Sequence, residues 1–151
     1  MPRITRTAEV TWTGNVARGG GAISAGSGAF TGLPYSLATR VGAPEGKTSP
    51  EELLAAAHAA CFAMSLASEL NGAEAPPEQL DVTCTIVMDE VEGQGHQIVG
   101  SEIEAAANAP GLDPSAFDGL VDAAHAGCPF STLLKNAGAT VSVGATLEPA
   151  S

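Results

Sequence analysis

Hydrophobic and polar positions along this chain follow two rhythms, and their order predicts its elements. Thr7 to Trp12 alternates with the period of a strand, and "PYSLATRV" reads as another short strand with Arg40 near its end. Between them lies the glycine-rich "RGGGAISAGSG", with no helical pattern after it. That favours tight hairpin turns over a phosphate-cradling loop. Asp81 to Val91 places Val82, Cys84, Ile86 and Met88 on one face of a strand. Gln97 to Ala107 does the same with Val99, Ser101, Ile103 and Ala105, and "VEGQGH" between the two predicts a hairpin connection. A last strand, "TVSVGATL", aligns Val141, Val143, Ala145 and Leu147.

"EELLAAAHAACFAMSLASEL" breaks that rhythm. It is apolar almost all round, which predicts a helix buried on most sides. Its start is well marked: Ser49 can cap, Pro50 suits the first helical position, and Glu51 and Glu52 complement the positive helix end. Ser49 and Glu52 also have the spacing of a capping box, and Gly72 is a natural stop. "GAEAPPEQ" follows as a turn or linker. A second helix is predicted from the Asp113 cap and Pro114 to Gly127, with a short helical piece at Ser131 to Lys135. Strands, helix, strands, helix and strand in that grouping indicate an α+β fold, with residues 1–151 as a single domain.

Charge narrows the partners. The net charge is −11 with six Lys and Arg, so a phosphate backbone or an anionic bilayer would be repelled; neither nucleic acid nor membrane is expected. Six aromatic residues offer no platform for stacking bases. The apolar run Leu53 to Met64 contains His58 and is too short to span a bilayer. "MPRITRTAEV" lacks the apolar stretch of a secretory signal, and three cysteines is an odd number, so a reducing, cytoplasmic location is expected.

The three cysteines have different addresses. Cys84 sits in line with Val82 and Ile86 and reads as a small core hydrophobe. Cys61 lies mid-helix, where a structural role also has to be weighed. Cys128 follows a helix-ending glycine and precedes a proline, where the chain is irregular. His58, Cys61, Cys84, His96, His125 and Cys128 are metal-ligand types, but no Cys-x-x-Cys or His-x-x-x-His pair occurs. For His58 the simplest reading is a core or interface histidine bonded to backbone. No Gly-x-Ser-x-Gly elbow supports a serine hydrolase.

"PEELLAAAHAACF" together with "AGCPFS" resembles the osmotically inducible protein C (OsmC) family of hydroperoxide reductases, relatives of the organic hydroperoxide resistance proteins. The likeness also takes in "GNVARGGGAIS", "PYSLATR", "GKTSPEEL" and "DPSAFDGLVDAAHAGCP". The OsmC branch fits best. The resemblance implies antiparallel sheets packed around a long central helix in an intertwined homodimer. It also implies a thiol peroxidase with neither haem nor metal as cofactor. Its substrate would be an organic hydroperoxide and its reductant a dithiol, such as a lipoylated protein. By motif, Cys61 is the peroxidatic cysteine, Cys128 the resolving one, and Glu51 with an arginine completes the site. Relatives point to Arg40 or to an arginine near Arg18, and both positions hold arginine.

The chemistry places a demand on that arginine. A thiolate attacks the peroxide, while burial in an alanine-lined helix raises a thiol's pKa, so a cation must be brought to Cys61. A guanidinium stays charged when desolvated and can bond thiolate and carboxylate together. Glu51 and Cys61 are ten residues apart, about 15 Å along one helix. One arginine can scarcely serve both within a subunit, so composite sites are expected, with Glu51 donated across a twofold. The competing readings are a non-enzymatic redox-sensing or ligand-binding dimer and a zinc-dependent hydrolase.

Overall fold

A computed structural model describes residues 1–149 of the chain. By contact the chain divides into two compact units, residues 1–53 and residues from 54 onward.

In the first unit, β1 (Ala8–Thr13), β2 (Gly20–Ala25) and β3 (Leu33–Tyr35) form an antiparallel sheet in that order. The glycine-rich stretch thus contributes a strand, not only turns. Gly21 lies opposite Trp12 on one side and Tyr35 on the other, and a Cβ there would stand 2.3 Å from the Tyr35 ring. The missing side chain lets Trp12 and Tyr35 meet across it, ring centroids 5.5 Å apart. Turn chemistry is confined to the connections, where Gly14 and Gly28 have φ of 90° and 81°.

"PYSLATRV" is not one strand. Only Pro34 and Tyr35 belong to β3; Ser36 then caps α1 (Leu37–Val41), its Oγ accepting the Thr39 N–H at 3.2 Å. That local side-chain bond diverts the backbone from the extended path, so Arg40 sits in a helical last turn. Ile23 is the only buried hydrophobic in this unit, while Val10, Val16 and Val41 are exposed.

Helix α2 (Pro50–Gly72) starts and stops where the sequence indicates. Ser49 Oγ accepts the Glu52 N–H at 3.1 Å, while the Glu52 carboxylate accepts from the Thr48 hydroxyl at 2.9 Å. Burial on most sides does not hold. The buried residues are His58, Phe62, Leu66 and Leu70, one stripe at four-residue spacing. Ala56, Ala60 and Met64 on the opposite stripe are open, Met64 at 76% exposure. By length and composition alone this helix is apolar enough to cross a membrane. The reason for the partial burial is geometric: one sheet covers one stripe of a helix, and the others need a further layer.

The second unit holds a sheet in the order β4 (Gln79–Val91), β5 (Gly95–Asn108), β6 (Thr140–Leu147). β4 and β5 form the expected hairpin, with a register shift between Val87 and Met88. β6 runs parallel to β5, which requires a crossover. That crossover carries a 3-10 turn (Pro114–Ala116), α3 (Phe117–Gly127) and α4 (Pro129–Asn136). Asp113 Oδ1 accepts the Ser115 N–H at 3.0 Å and opens it. α4 begins two residues earlier than predicted because Pro129 is already set for a first turn. Phe62, Leu66 and Leu70 pack into one core with Ile103, Ala105, Ala107, Phe117, Val121 and Ala124.

Candidate active site

The helix core and the α3–α4 junction bring two thiols together. Cys61 is half-buried on α2, and Cys128, in the break between α3 and α4, is fully buried. The Cys61 and Cys128 side chains are close enough to shift each other's ionisation. Burial pushes the Cys61 thiol up, and its contact with Cys128 adds to that; the Phe130 N–H and the Ser65 hydroxyl pull the other way. Burial also opposes ionisation of Cys128, but there the balance reverses. Cys128 occupies the N-cap position of α4 without closing a full capping bond. Even so, the Ser131 N–H, the Cys61 thiol, the Ser131 hydroxyl and the Phe130 N–H together hold its pKa below the usual cysteine range. Of the pair, Cys128 is the easier thiol to ionise within one chain. The sequence directs attention to Cys61 as the thiolate, and that requires a cation beyond the groups just named.

Arg40 and Glu51 form the second arrangement. Arg40 Nε donates to Glu51 Oε1 at 3.1 Å and Oε2 at 3.0 Å, and Nη2 forms an ion pair with Oε1. Hydrogen bonding to Glu51 raises the arginine's pKa, and hydrogen bonding to Arg40 lowers that of Glu51. Both expected residues therefore meet, within residues 1–53. Arg18, the alternative, lies exposed in the β1–β2 turn, where its backbone N–H bonds Asn15 Oδ1 at 2.8 Å. Trp12, Val16, Tyr35, Ser36, Leu37 and Arg40 line a hollow of about 160 Å³.

A third cluster was only half visible in the sequence. His58 is fully buried, and its partners are side chains, not backbone: Nδ1 lies 2.6 Å from Ser101 Oγ and 3.7 Å from the Cys84 sulfur, and Nε2 2.8 Å from Ser131 Oγ. His125 Nδ1 is 3.1 Å from the same Ser131 oxygen. Cys84, read as a plain core residue, has its sulfur 3.2 Å from Ser101 Oγ. The available signal was Ser101 itself, a hydroxyl at an inward strand position, which must find a partner when buried. Among the described residues no three His, Cys, Asp or Glu converge as a metal site. His96 lies exposed near the start of β5.

The fold is shared with known solved structures. OhrB, the organic hydroperoxide resistance protein of Bacillus subtilis, superposes with a TM-score of 0.65 at 26% identity, over 94% of this chain and 98% of that one. An organic hydroperoxide resistance protein from Legionella pneumophila shares the fold at a TM-score of 0.68 and 22% identity, over 97% and 100% of the chains. The sequence model described as OsmC-like protein matches residues 42–143. This chain is 39% identical over 132 residues to Peroxiredoxin OsmC of Escherichia coli (strain K12), covering 87% of this chain and 91% of that protein. It is 33% identical over 133 residues to the organic hydroperoxide resistance protein of Xanthomonas axonopodis pv. citri, covering 85% and 87%. The chain belongs to the OsmC family, and these relatives support a peroxidase-type function.

Proposed function

We propose that this protein is a cysteine-based peroxidase that reduces organic hydroperoxides, and hydrogen peroxide more weakly, at the expense of a dithiol. The observation that carries the reading is the closeness of the Cys61 and Cys128 side chains. The Cys61 thiolate attacks the outer peroxide oxygen, the O–O bond breaks, and the alkoxide leaves as alcohol after taking a proton. Cys61 is left as a sulfenic acid. The Cys128 thiolate attacks that sulfur; a disulfide forms and hydroxide leaves as water after taking a proton. A dithiol, free or on a lipoylated protein, restores both thiols by exchange and is itself oxidised to a disulfide.

The cation that Cys61 needs is assigned to Arg40, held by Glu51. Its charge also stabilises the departing oxyanion. Because Glu51 and Cys61 stand about 15 Å apart on one helix, the Arg40–Glu51 pair is proposed to serve Cys61 of a second copy. The open Ala56, Ala60 and Met64 stripe and the nearly coreless first unit support a homodimer that covers them. The hollow ending on Arg40 would take the apolar part of an organic substrate. Location in the reducing cytoplasm, where free thiols persist, completes the reading.

The test is substitution combined with mass spectrometry. Cys61→Ser abolishes turnover of tert-butyl hydroperoxide with dithiol, and Cys128→Ser reacts once and then stalls or over-oxidises. One equivalent of hydroperoxide produces a Cys61–Cys128 bridge in the parent protein. Full activity without Cys61 rejects the proposal. The raised Cys61 pKa favours one rival, a redox-sensing dimer that oxidises once per thiol pair; sustained multiple turnover rules that rival out.

A further inference from the structure

One cavity lies apart from every group the proposed reaction uses. Its volume is about 590 Å³, within the range of sites that hold small organic ligands. It opens where β5 ends. There the Glu78 N–H donates to Asn108 O and the Glu148 N–H to Ala107 O, both at 2.8 Å. Glu78 precedes β4 and Glu148 follows β6, the neighbours of β5 on its two sides, so the two residues flank one strand end. The loop on the cavity's third side leads from β5 into the crossover. Gly111, with φ of 86°, turns the chain there, and Pro110 and Pro114 stiffen it. The floor is apolar: Phe117 is 4% exposed and Ala109 6%, with Leu112 and Leu147 half-buried beside them.

The polar atoms of the lining run one way. Glu78 and Glu148 supply carboxylates, and Asn108 Nδ2 donates to Glu78 Oε2 at 3.4 Å, which leaves the Asn108 carbonyl oxygen to accept. The rim prolines have no backbone N–H to offer. Among the described residues lining the cavity there is no Lys, Arg or His. The complementary ligand therefore carries positive N–H donors at one end and an apolar body at the other. We propose that this cavity binds a small organic ammonium, a protonated primary amine on an aryl or alkyl stem. The stem rests on Phe117, Leu112 and Leu147, and the nitrogen sits between Glu78 and Glu148. Charge alone does not carry this, because a chain of net charge −11 attracts any cation. The buried apolar floor is what favours an amine with a stem over an inorganic ion. The eleven residues of α3 run from Phe117 toward Cys128, about 16 Å of helix, so the cavity is separate from Cys128 and does not depend on the peroxidase reading.

The experiment titrates the whole chain with phenethylammonium at fixed ionic strength, following amide shifts by NMR and heat by calorimetry. Saturable binding is expected, with the largest shifts at Ala109, Leu112 and Phe117. Phenethyl alcohol, which keeps the stem and loses the charge, binds about tenfold more weakly. Ethylammonium, which keeps the charge and loses most of the stem, is also weaker by about tenfold. Glu78 and Glu148 are exposed. Replacing both, Glu78→Gln with Glu148→Gln, weakens the amine about tenfold and leaves the alcohol unchanged. Equal affinity for amine and alcohol overturns the proposal, as does a folded double variant that binds the amine like the parent. Shifts that ethylammonium or potassium reproduces at the same concentration mean counter-ion attraction only, and overturn it too. If the double variant fails to fold, amine against alcohol on the parent still decides. Peroxide turnover measured alongside tests the other reading: its absence rejects the peroxidase and leaves the amine site standing.

Discussion

Arg40 Nε reaches both carboxylate oxygens of Glu51, at 3.1 and 3.0 Å, so the guanidinium plane is fixed by the residue that opens the central helix. A lysine at position 40 keeps the charge but not the fork. Arg40→Lys and Glu51→Gln are each expected to lower kcat/KM for tert-butyl hydroperoxide by about a hundredfold, a loss of about 2.7 kcal/mol, on the scale of one oxyanion-stabilising group. Steady-state kinetics check this; unchanged kcat/KM in Arg40→Lys would remove Arg40 from the site.

Met64 is 76% exposed on an apolar stripe that includes Ala56 and Ala60. If a second copy covers that stripe, a carboxylate there is buried without a partner. Met64→Glu is expected to give monomers by sedimentation and to lose turnover with them. A dimer that persists at full activity would place the interface elsewhere.

Cys84 Sγ lies 3.2 Å from Ser101 Oγ and 3.7 Å from His58 Nδ1, and a serine hydroxyl at position 84 can donate or accept in its place. Cys84→Ser is therefore expected to keep kcat within about twofold, with a melting temperature only slightly lower. A large loss in kinetics would give Cys84 a role in the chemistry.

Stability should fall with pH in two stages. Burial lowers the pKa of His58 and His125 below their ordinary value of 6.5. The unfolded chain binds protons there that the folded chain refuses, so stability is full above 6.5 and declines as pH drops below it. Glu51 is lowered from its ordinary 4.5 by Arg40, and its contribution is lost only below that pH. Falling net charge works in the opposite direction as pH approaches the isoelectric point near 4.4. Melting temperature against pH, compared between the parent and a His58→Gln, His125→Gln protein, separates the effects. The substituted protein is expected to lose the slope below 6.5, and an identical slope in both would contradict this.

Much of the fold was legible because the signals are local. The Ser49–Pro50 start of α2, the Asp113–Pro114 opening of the crossover and the β4–β5 hairpin each rest on residues within a few positions of one another. The misread stretches show where local patterning stops deciding. "PYSLATRV" alternates like a strand, but the Ser36 cap competes for the same backbone and wins. The glycines of "RGGGAISAGSG" carry turn propensity, yet Gly21 is in a strand because two aromatic rings need its space.

The sequence alone determined which residues carry the chemistry's atoms: two cysteines in a distinctive setting, a glutamate at a helix start, and arginines too few to leave much choice. Tertiary structure alone decided which groups they meet. It turned Arg40 rather than Arg18 to Glu51, and it joined His58 to two serines more than forty positions away. It also lowered the pKa of Cys128 while raising that of Cys61. A residue's type fixes what it can donate or accept, but pairing and ionisation depend on distance and burial, and these exist only once remote segments have packed.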